Sequence, residues 1–272
     1  MGRSTNRRNL VEGTRVYLSG PMDFVPSRSN ERKYGWRRRV SQFLRGLGAT
    51  VFDPWYKPLV KGLGVYGEEG EKADKIREGW TFELGVNGAK ARSKCARMFW
   101  KTLHIDLRMV DLSDFIIATC PTNFYSVGTP HEIALARQQR KPVLCVSPPV
   151  IYPALAELQE WTKGDPKPMG LLDRLISEVP VKQNPRGVPS LWYTALIGSE
   201  NFFDGFGFRK YRERFGWESN VIEQREHQMP PRRPLLPFLE SLANGNYPKR
   251  WDNRERKFKI DDDWLLLDLR RE

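Results

Sequence analysis

The chain has 272 residues, 39% of them hydrophobic, and 45 Lys and Arg against 33 Asp and Glu give a net charge of +12. That length supports a sizeable buried core, and no apolar run approaches the ~20 residues of a membrane span. Cys95, Cys120 and Cys145 are odd in number and far apart. They fit neither a disulfide framework nor a zinc site, and point to a reducing cytoplasm. The basic leader Met1–Arg8 is followed by no apolar segment, which argues against a secretory signal. The charge is uneven: residues 1–150 carry 25 cations against 14 anions, residues 151–272 carry 20 against 19. A basic first half suits an anionic ligand, a phosphorylated small molecule or nucleic acid; the bland alternative is a solubilising surface.

In chain order, Arg15–Ser19 reads as a short buried strand broken by Gly20-Pro21. A Pro-, Ser- and Gly-rich loop runs to Asn30. A helix is predicted from Glu31 to Leu47, with Trp36, Val40, Phe43, Leu44 and Leu47 on its apolar face and the Arg37–Arg39 run on a solvated one. Gly48 ends it, and Ala49–Phe52 forms a second strand stopped by Asp53-Pro54. Residues 53–95 look like an insertion that could serve as a lid. The glycines of Gly62–Gly67 lack a phosphate-loop spacing, and Glu68–Glu78 reads as exposed. From Ala96 to Leu112 the helical period returns, with Leu103, Leu107 and Val110 on one face and Asp106 at its edge. A half-buried carboxylate there needs either a salt-bridge partner or a chemical task. Then come a strand at Phe115–Ala118, a loop over 119–128, a helix from Thr129 to Arg140, and a strand at Pro142–Val146.

Thr129 reads as the cap of that helix, Pro130 as its first residue, and Glu132 falls three after the cap. Glu132 is then either half of a capping box or a carboxylate held ionised at a positive helix end beside a nest of N–H groups.

The order strand-helix-strand-insert-helix-strand-helix-strand predicts a flavodoxin-like or Rossmann-like doubly wound parallel sheet. The first domain spans 1–147. Ligands of such sheets sit beyond the carboxyl ends of the strands, where the loops after the first and third strands converge. Residues 148–272 form a mostly helical, aromatic-rich extension for docking or oligomerisation, with helices at Ala154–Trp161 and Leu171–Ile176 and a docked amphipathic end at Asp261–Asp268. Its aromatics between Leu191 and Trp217, interleaved with arginines, either pack onto the first domain or a second subunit, or stack on nucleic acid. The near-neutral charge of this half favours packing.

No GxSxG, GxxxxGK[ST] or HExxH is present, and His104, His131 and His227 lack metal-ligand spacing. No organic cofactor and no metal is implied.

Three segments in order carry a resemblance: Tyr17-Leu-Ser-Gly-Pro-Met22, Asp106–Ile117, and Ser126-Val-Gly-Thr-Pro-His-Glu132 continuing to Ala136. Over residues 14–147 the chain resembles the nucleoside 2-deoxyribosyltransferase superfamily, which includes nucleoside 5′-monophosphate N-glycosidases. The resemblance implies that Glu132 is the nucleophile on the anomeric carbon, that Asp106 assists proton transfer to the base, and that Tyr17 orients Glu132. It also implies substrate contacts from Gly20, Pro21, Met22, Ser126, Gly128 and Thr129, and a homo-oligomer. A retaining glycosyl transfer needs one carboxylate on the sugar and one proton donor near the leaving group, in keeping with these assignments. Transferases of free nucleosides commonly carry an acidic residue six positions before the nucleophile; here it is Ser126. A neutral hydroxyl accepts a dianion where an aspartate repels it, so hydrolysis of a nucleoside 5′-monophosphate is the expected activity. Base exchange between nucleosides, hydrolysis of a larger nucleotide such as NAD, and a non-catalytic nucleotide sensor or nucleic-acid-binding module are the alternatives.

Overall fold

The computed structural model describes residues 8–22, 28–56, 78–123, 126–178 and 183–271. The glycine-rich stretch 62–67, most of the acidic stretch 68–78 and residues 57–77 of the 53–95 insertion lie outside them, while residues 85–95 of that insertion are helical.

Strands β1 (Arg15–Ser19), β2 (Thr50–Phe52), β3 (Phe115–Thr119), β4 (Val143–Val146) and β5 (Phe202–Phe203) form one sheet in the order β2-β1-β3-β4-β5. All four pairings are parallel. This is the doubly wound order expected from the sequence, with the switch between β1 and β3. The fifth strand comes from beyond residue 147, so the C-terminal half contributes to the sheet itself.

Strand periodicity decides which element covers which face. Val16, Leu18, Phe115, Ile117, Leu144, Val146 and Phe203 turn to one side. There they meet Trp36, Val40, Phe43 and Leu44 of helix α2 (Trp36–Gly46), preceded by α1 (Arg28–Tyr34). The alternate residues Tyr17, Ile116, Ala118, Val143 and Cys145 turn to the other side. They meet Met109 and Val110 of α3 (Gly85–Leu112) and Ile133 and Ala136 of α4 (Gly128–Gln138).

The helix expected over 31–47 is two helices, because Gly35 interrupts it; Gly48, at φ +89°, closes the second. Helix α3 begins at Gly85, not Ala96. Its first half faces solvent, so no apolar period marks it; the period appears only where the helix reaches the sheet. Arg92 Nη1 donates to the carbonyls of Thr81 and Glu83 and ties the entering strand of chain to the helix.

The arginine run on α2 corrects the expectation of a solvated face. Only Arg38 is exposed; Arg37 and Arg39 are buried at 1% and 4%. Arg39 Nη1 donates to Glu223 Oε2 at 3.1 Å, and its guanidinium lies 5.2 Å from the ring centre of Phe208 and 5.4 Å from that of Trp217. A sequence pattern shows Arg37 and Arg39 beside an apolar stripe and cannot show that a distant acidic residue meets them.

Beyond β4 come α5 (Pro153–Thr162), α6 (Pro166–Glu178), α7 (Leu191–Ile197), α8 (Arg212–Phe215), α9 (Val221–Gln228) and α10 (Leu235–Ala243). A hairpin of β6 (Lys249–Asp252) and β7 (Lys257–Ile260) precedes α11 (Asp262–Leu269). Phe203, Phe206, Phe208, Tyr211 and Trp217 join the α2-side core, as the packing reading expects, while Trp192 stays 86% exposed. The amphipathic end docks: Trp264 and Leu267 are buried, and Asp263 pairs with Arg137 at 2.8 Å at the far end of α4. Among the described residues no helix is long and apolar enough to cross a membrane.

Lys141, just past α4, donates through Nζ to the carbonyls of Val110 and Asp111 at the end of α3. Burial is the largest influence on it and pushes its ammonium down to about 8 from 10.5. Between those values the unfolded chain binds more protons, so this group's contribution to stability rises as pH climbs through that window. A lysine-selective NMR titration is expected to show a midpoint near 8. An ordinary lysine midpoint would contradict the burial.

Candidate active site

The site forms where β1 passes under the opening turn of α4. Tyr17 and Ser19 are two residues apart on a strand and therefore face the same way, toward that helix. Tyr17 Oη donates to Glu132 Oε1 at 2.8 Å, and Ser19 Oγ donates to Glu132 Oε2. One donor thus addresses each carboxylate oxygen of a buried Glu132.

The helix opens two residues earlier than a Thr129 cap implies. It spans Gly128–Gln138, with Val127 at the cap position and no side-chain cap bond there. Thr129 lies inside the first turn, so the capping-box geometry with Thr129 as cap does not arise. Glu132 then sits one turn in, on the sheet-facing side beside Ile133.

Asp106 is buried on α3. Burial holds the Tyr17 hydroxyl well above its usual proton affinity, and the charge of Glu132, together with that of Asp106 whenever it is ionised, adds to this. Tyr17 therefore remains a donor across the physiological range, and both carboxylates lie within electrostatic reach of its oxygen. Ser126 Oγ donates to Thr129 Oγ1 at 2.8 Å, which gathers two hydroxyls at the mouth of α4. A Cβ on Gly128 would lie 3.8 Å from Glu132 Oε1, so that face of the carboxylate borders the helix entry. His131 is exposed and its Nδ1 lies 2.8 Å from the Val127 carbonyl, consistent with a surface role.

Gly20, Pro21 and Met22 continue directly from Ser19 at the carboxyl end of β1. Their backbone is fixed from beneath by Arg37, whose guanidinium donates to the carbonyls of Leu18 at 3.3 Å, Pro21 at 3.4 Å and Gly20 at 2.6 Å. Any side chain at position 20 would press on that support, since a Cβ would stand 3.0 Å from Arg37 Nη2 and 3.1 Å from Trp36 Cζ2. The charge of Arg37 also faces Glu31, at 3.7 Å, and acts on buried Asp53. Burial raises the proton affinity of both carboxyls and Arg37 pulls it back.

The geometry thus places Tyr17, Glu132, Ser126, Gly128 and Thr129 about the opening turn of α4, with Gly20–Met22 following β1 and Asp106 buried on α3 within electrostatic reach of Tyr17. Sequence reading missed Ser19 and Arg37 as members of the site. Ser19 had a signal, its two-residue offset from Tyr17 in a strand. Arg37 had none, because nothing local separates it from Arg38. Among the described residues no cluster of His, Cys, Asp and Glu has the arrangement to hold a metal ion.

No family model and no curated protein matches this chain. Among solved structures, a 2-deoxyribosyltransferase from Bacillus psychrosaccharolyticus is similar over 48% of this chain and 71% of its own, at 20% identity and a TM-score of 0.26. A conserved protein from Enterococcus faecalis V583 is similar over 70% of this chain and 89% of its own, at 16% identity and a TM-score of 0.34. Both are distant, partial likenesses, and neither by itself places the chain in a family or assigns it a reaction.

Proposed function

We propose that this chain hydrolyses the N-glycosidic bond of a nucleoside 5′-monophosphate through a covalent glycosyl–Glu132 intermediate. The observation that carries the reading is the buried Glu132 carboxylate with one hydroxyl donor on each oxygen, from Tyr17 and from Ser19. Two O–H donors fix the carboxylate plane and still leave lone pairs for attack.

In the first step a Glu132 oxygen bonds to the anomeric carbon as the carbon–nitrogen bond breaks. The electron pair leaves with the base nitrogen, and Asp106 delivers the proton that makes the base a neutral leaving group. In the second step water attacks the same carbon, Asp106 takes its proton, and Glu132 is released. The products are a free base and a sugar 5-phosphate. Two inversions at one carbon give overall retention.

The Ser126 hydroxyl and the main-chain N–H groups of Gly128 and Thr129 at the opening turn of α4 suit a 5′-phosphate. Pro130 contributes no N–H, so hydroxyls and the helix dipole supply the rest.

The test is incubation of the purified chain with ribo- and deoxyribonucleoside monophosphates, free nucleosides with and without an acceptor base, and NAD, reading released base by chromatography. Base release from a monophosphate alone supports the reading. Release only with an acceptor base means transfer, nicotinamide release means an NAD-type glycohydrolase, and no release from any compound removes the enzymatic reading.

Tyr17→Phe and Ser19→Ala each remove one hydroxyl donor from a charged acceptor. A hydrogen bond of that kind contributes about 1.5–3 kcal/mol, so each variant is expected to lose about 10- to 100-fold in kcat. The double variant is expected to lose more than either single one. A kcat within twofold of wild type in both single variants would remove them from the mechanism.

A further inference from the structure

We propose that the outward face of α3 is a binding surface for single-stranded nucleic acid, independent of the reaction proposed above. From Gly85 to Ile105 the helix has no acidic residue. Lys90, Lys94, Arg97 and Arg108 recur at spacings that keep them on one line of an α-helix, opposite the side that carries buried Cys95, Asp106 and Met109. All four are exposed. Among the described residues no carboxylate pairs with Lys90, Lys94 or Arg97, and Arg108 reaches only Asp111, at 3.9 Å.

Like charges three and four residues apart on a helix repel and destabilise it. A solvated face normally mixes signs; this one carries a single sign for about 27 Å at 1.5 Å per residue. That is a track for a chain of negative charges, and the +12 net charge adds long-range attraction.

An exposed aromatic selects the class of polyanion. Trp100 is 61% exposed and lies along the edge of the basic line, its ring stacked on His104 at 6.2 Å and 24°. A ring stacked on a neighbour with most of its surface exposed is a platform for an unpaired base, which the paired bases of duplex DNA do not offer. The denser aromatic cluster over 202–217 is not such a platform, because Phe203, Phe206, Phe208, Tyr211 and Trp217 are buried in the core.

The test is fluorescence anisotropy of the full chain with a fluorescein-labelled single-stranded oligonucleotide of about 20 nucleotides. Four cations predict a slope of log affinity against log salt of about −3, a loss of about 50-fold between about 50 and 200 mM salt. Trp100→Ala is expected to weaken binding about tenfold. The combined Lys90→Glu, Lys94→Glu and Arg97→Glu variant, checked for folding by circular dichroism, is expected to weaken it by more than tenfold. If that variant misfolds, Trp100→Ala and the salt slope still decide. No binding at low salt, or wild-type binding by a folded triple variant, overturns the proposal. So does equal competition by polyglutamate together with an unaffected Trp100→Ala, which would assign the face to an acidic protein instead.

Discussion

Glu132→Gln is expected to reduce base release by about 10³-fold or more while leaving the protein folded. Glutamine keeps the volume and planarity of the side chain and an oxygen that accepts one of the two hydroxyl donors. It loses the negative charge that attacks the anomeric carbon, and removal of a nucleophile costs orders of magnitude that the remaining groups do not restore. The Tyr17 and Ser19 hydroxyls can turn to suit an amide, and Ser19 can accept where it formerly donated, so the thermal midpoint is expected to stay close to wild type. Steady-state rates, single-turnover trapping of a glycosyl-enzyme and a melting curve make the comparison. Near-normal activity in a folded Glu132→Gln variant would reject the covalent mechanism outright. A loss of activity accompanied by unfolding would leave the structural role as the simpler account, and Tyr17→Phe would then carry the decision.

Arg39→Ala is expected to be among the most destabilising single changes in the chain. The guanidinium pairs with Glu223 at 3.1 Å with both side chains about 5% exposed or less, donates to the Glu218 carbonyl, and lies over the rings of Phe208 and Trp217. Removing one partner of such a pair leaves a buried carboxylate with reduced compensation, at a cost of about 3–5 kcal/mol. Arg212, at 3.1 Å from the other Glu223 oxygen, is half exposed and offsets only part of this. Against a total stability of about 5–15 kcal/mol, that is a fall in melting temperature of about 10 °C. The double variant Arg39→Met, Glu223→Met is expected to recover much of the loss, because a packed apolar pair has no charge to solvate. Urea unfolding of the wild type, Arg39→Met, Glu223→Met and the double variant, the four proteins of a closed cycle, gives the coupling energy directly. A loss under 1 kcal/mol in Arg39→Ala would mean that the pair is solvated in solution. A single transition in all four would also show that residues before and after 147 unfold together, as their shared core requires.

The sequence by itself determined the sheet. Short β-rich runs at 15–19, 49–52, 115–118 and 142–146, separated by helical segments, have one economical solution, a parallel sheet with helices on both faces; the order β2-β1-β3-β4-β5 is read from the structure. It also pointed to the docking of Trp264 and the aromatic cluster through their apolar surface, whereas the pairing of Tyr17 with Glu132 was an expectation from the resemblance alone. Local pattern was sufficient there because periodicity reports which side of an element is dry.

Tertiary structure alone decided the rest. Position 19 becomes a donor to Glu132 only when β1 lies under α4. Arg37 and Arg39 are buried because carbonyls from 18–21 and a carboxylate from position 223 converge on them, and burial of a cation is a property of its partners rather than of its neighbours in sequence. The fifth strand comes from two residues, Phe202 and Phe203, too short a run to carry a strand signal. The first half of α3 is helical without an apolar period because most of its side chains face solvent. In each case the deciding interaction joins residues far apart in the chain.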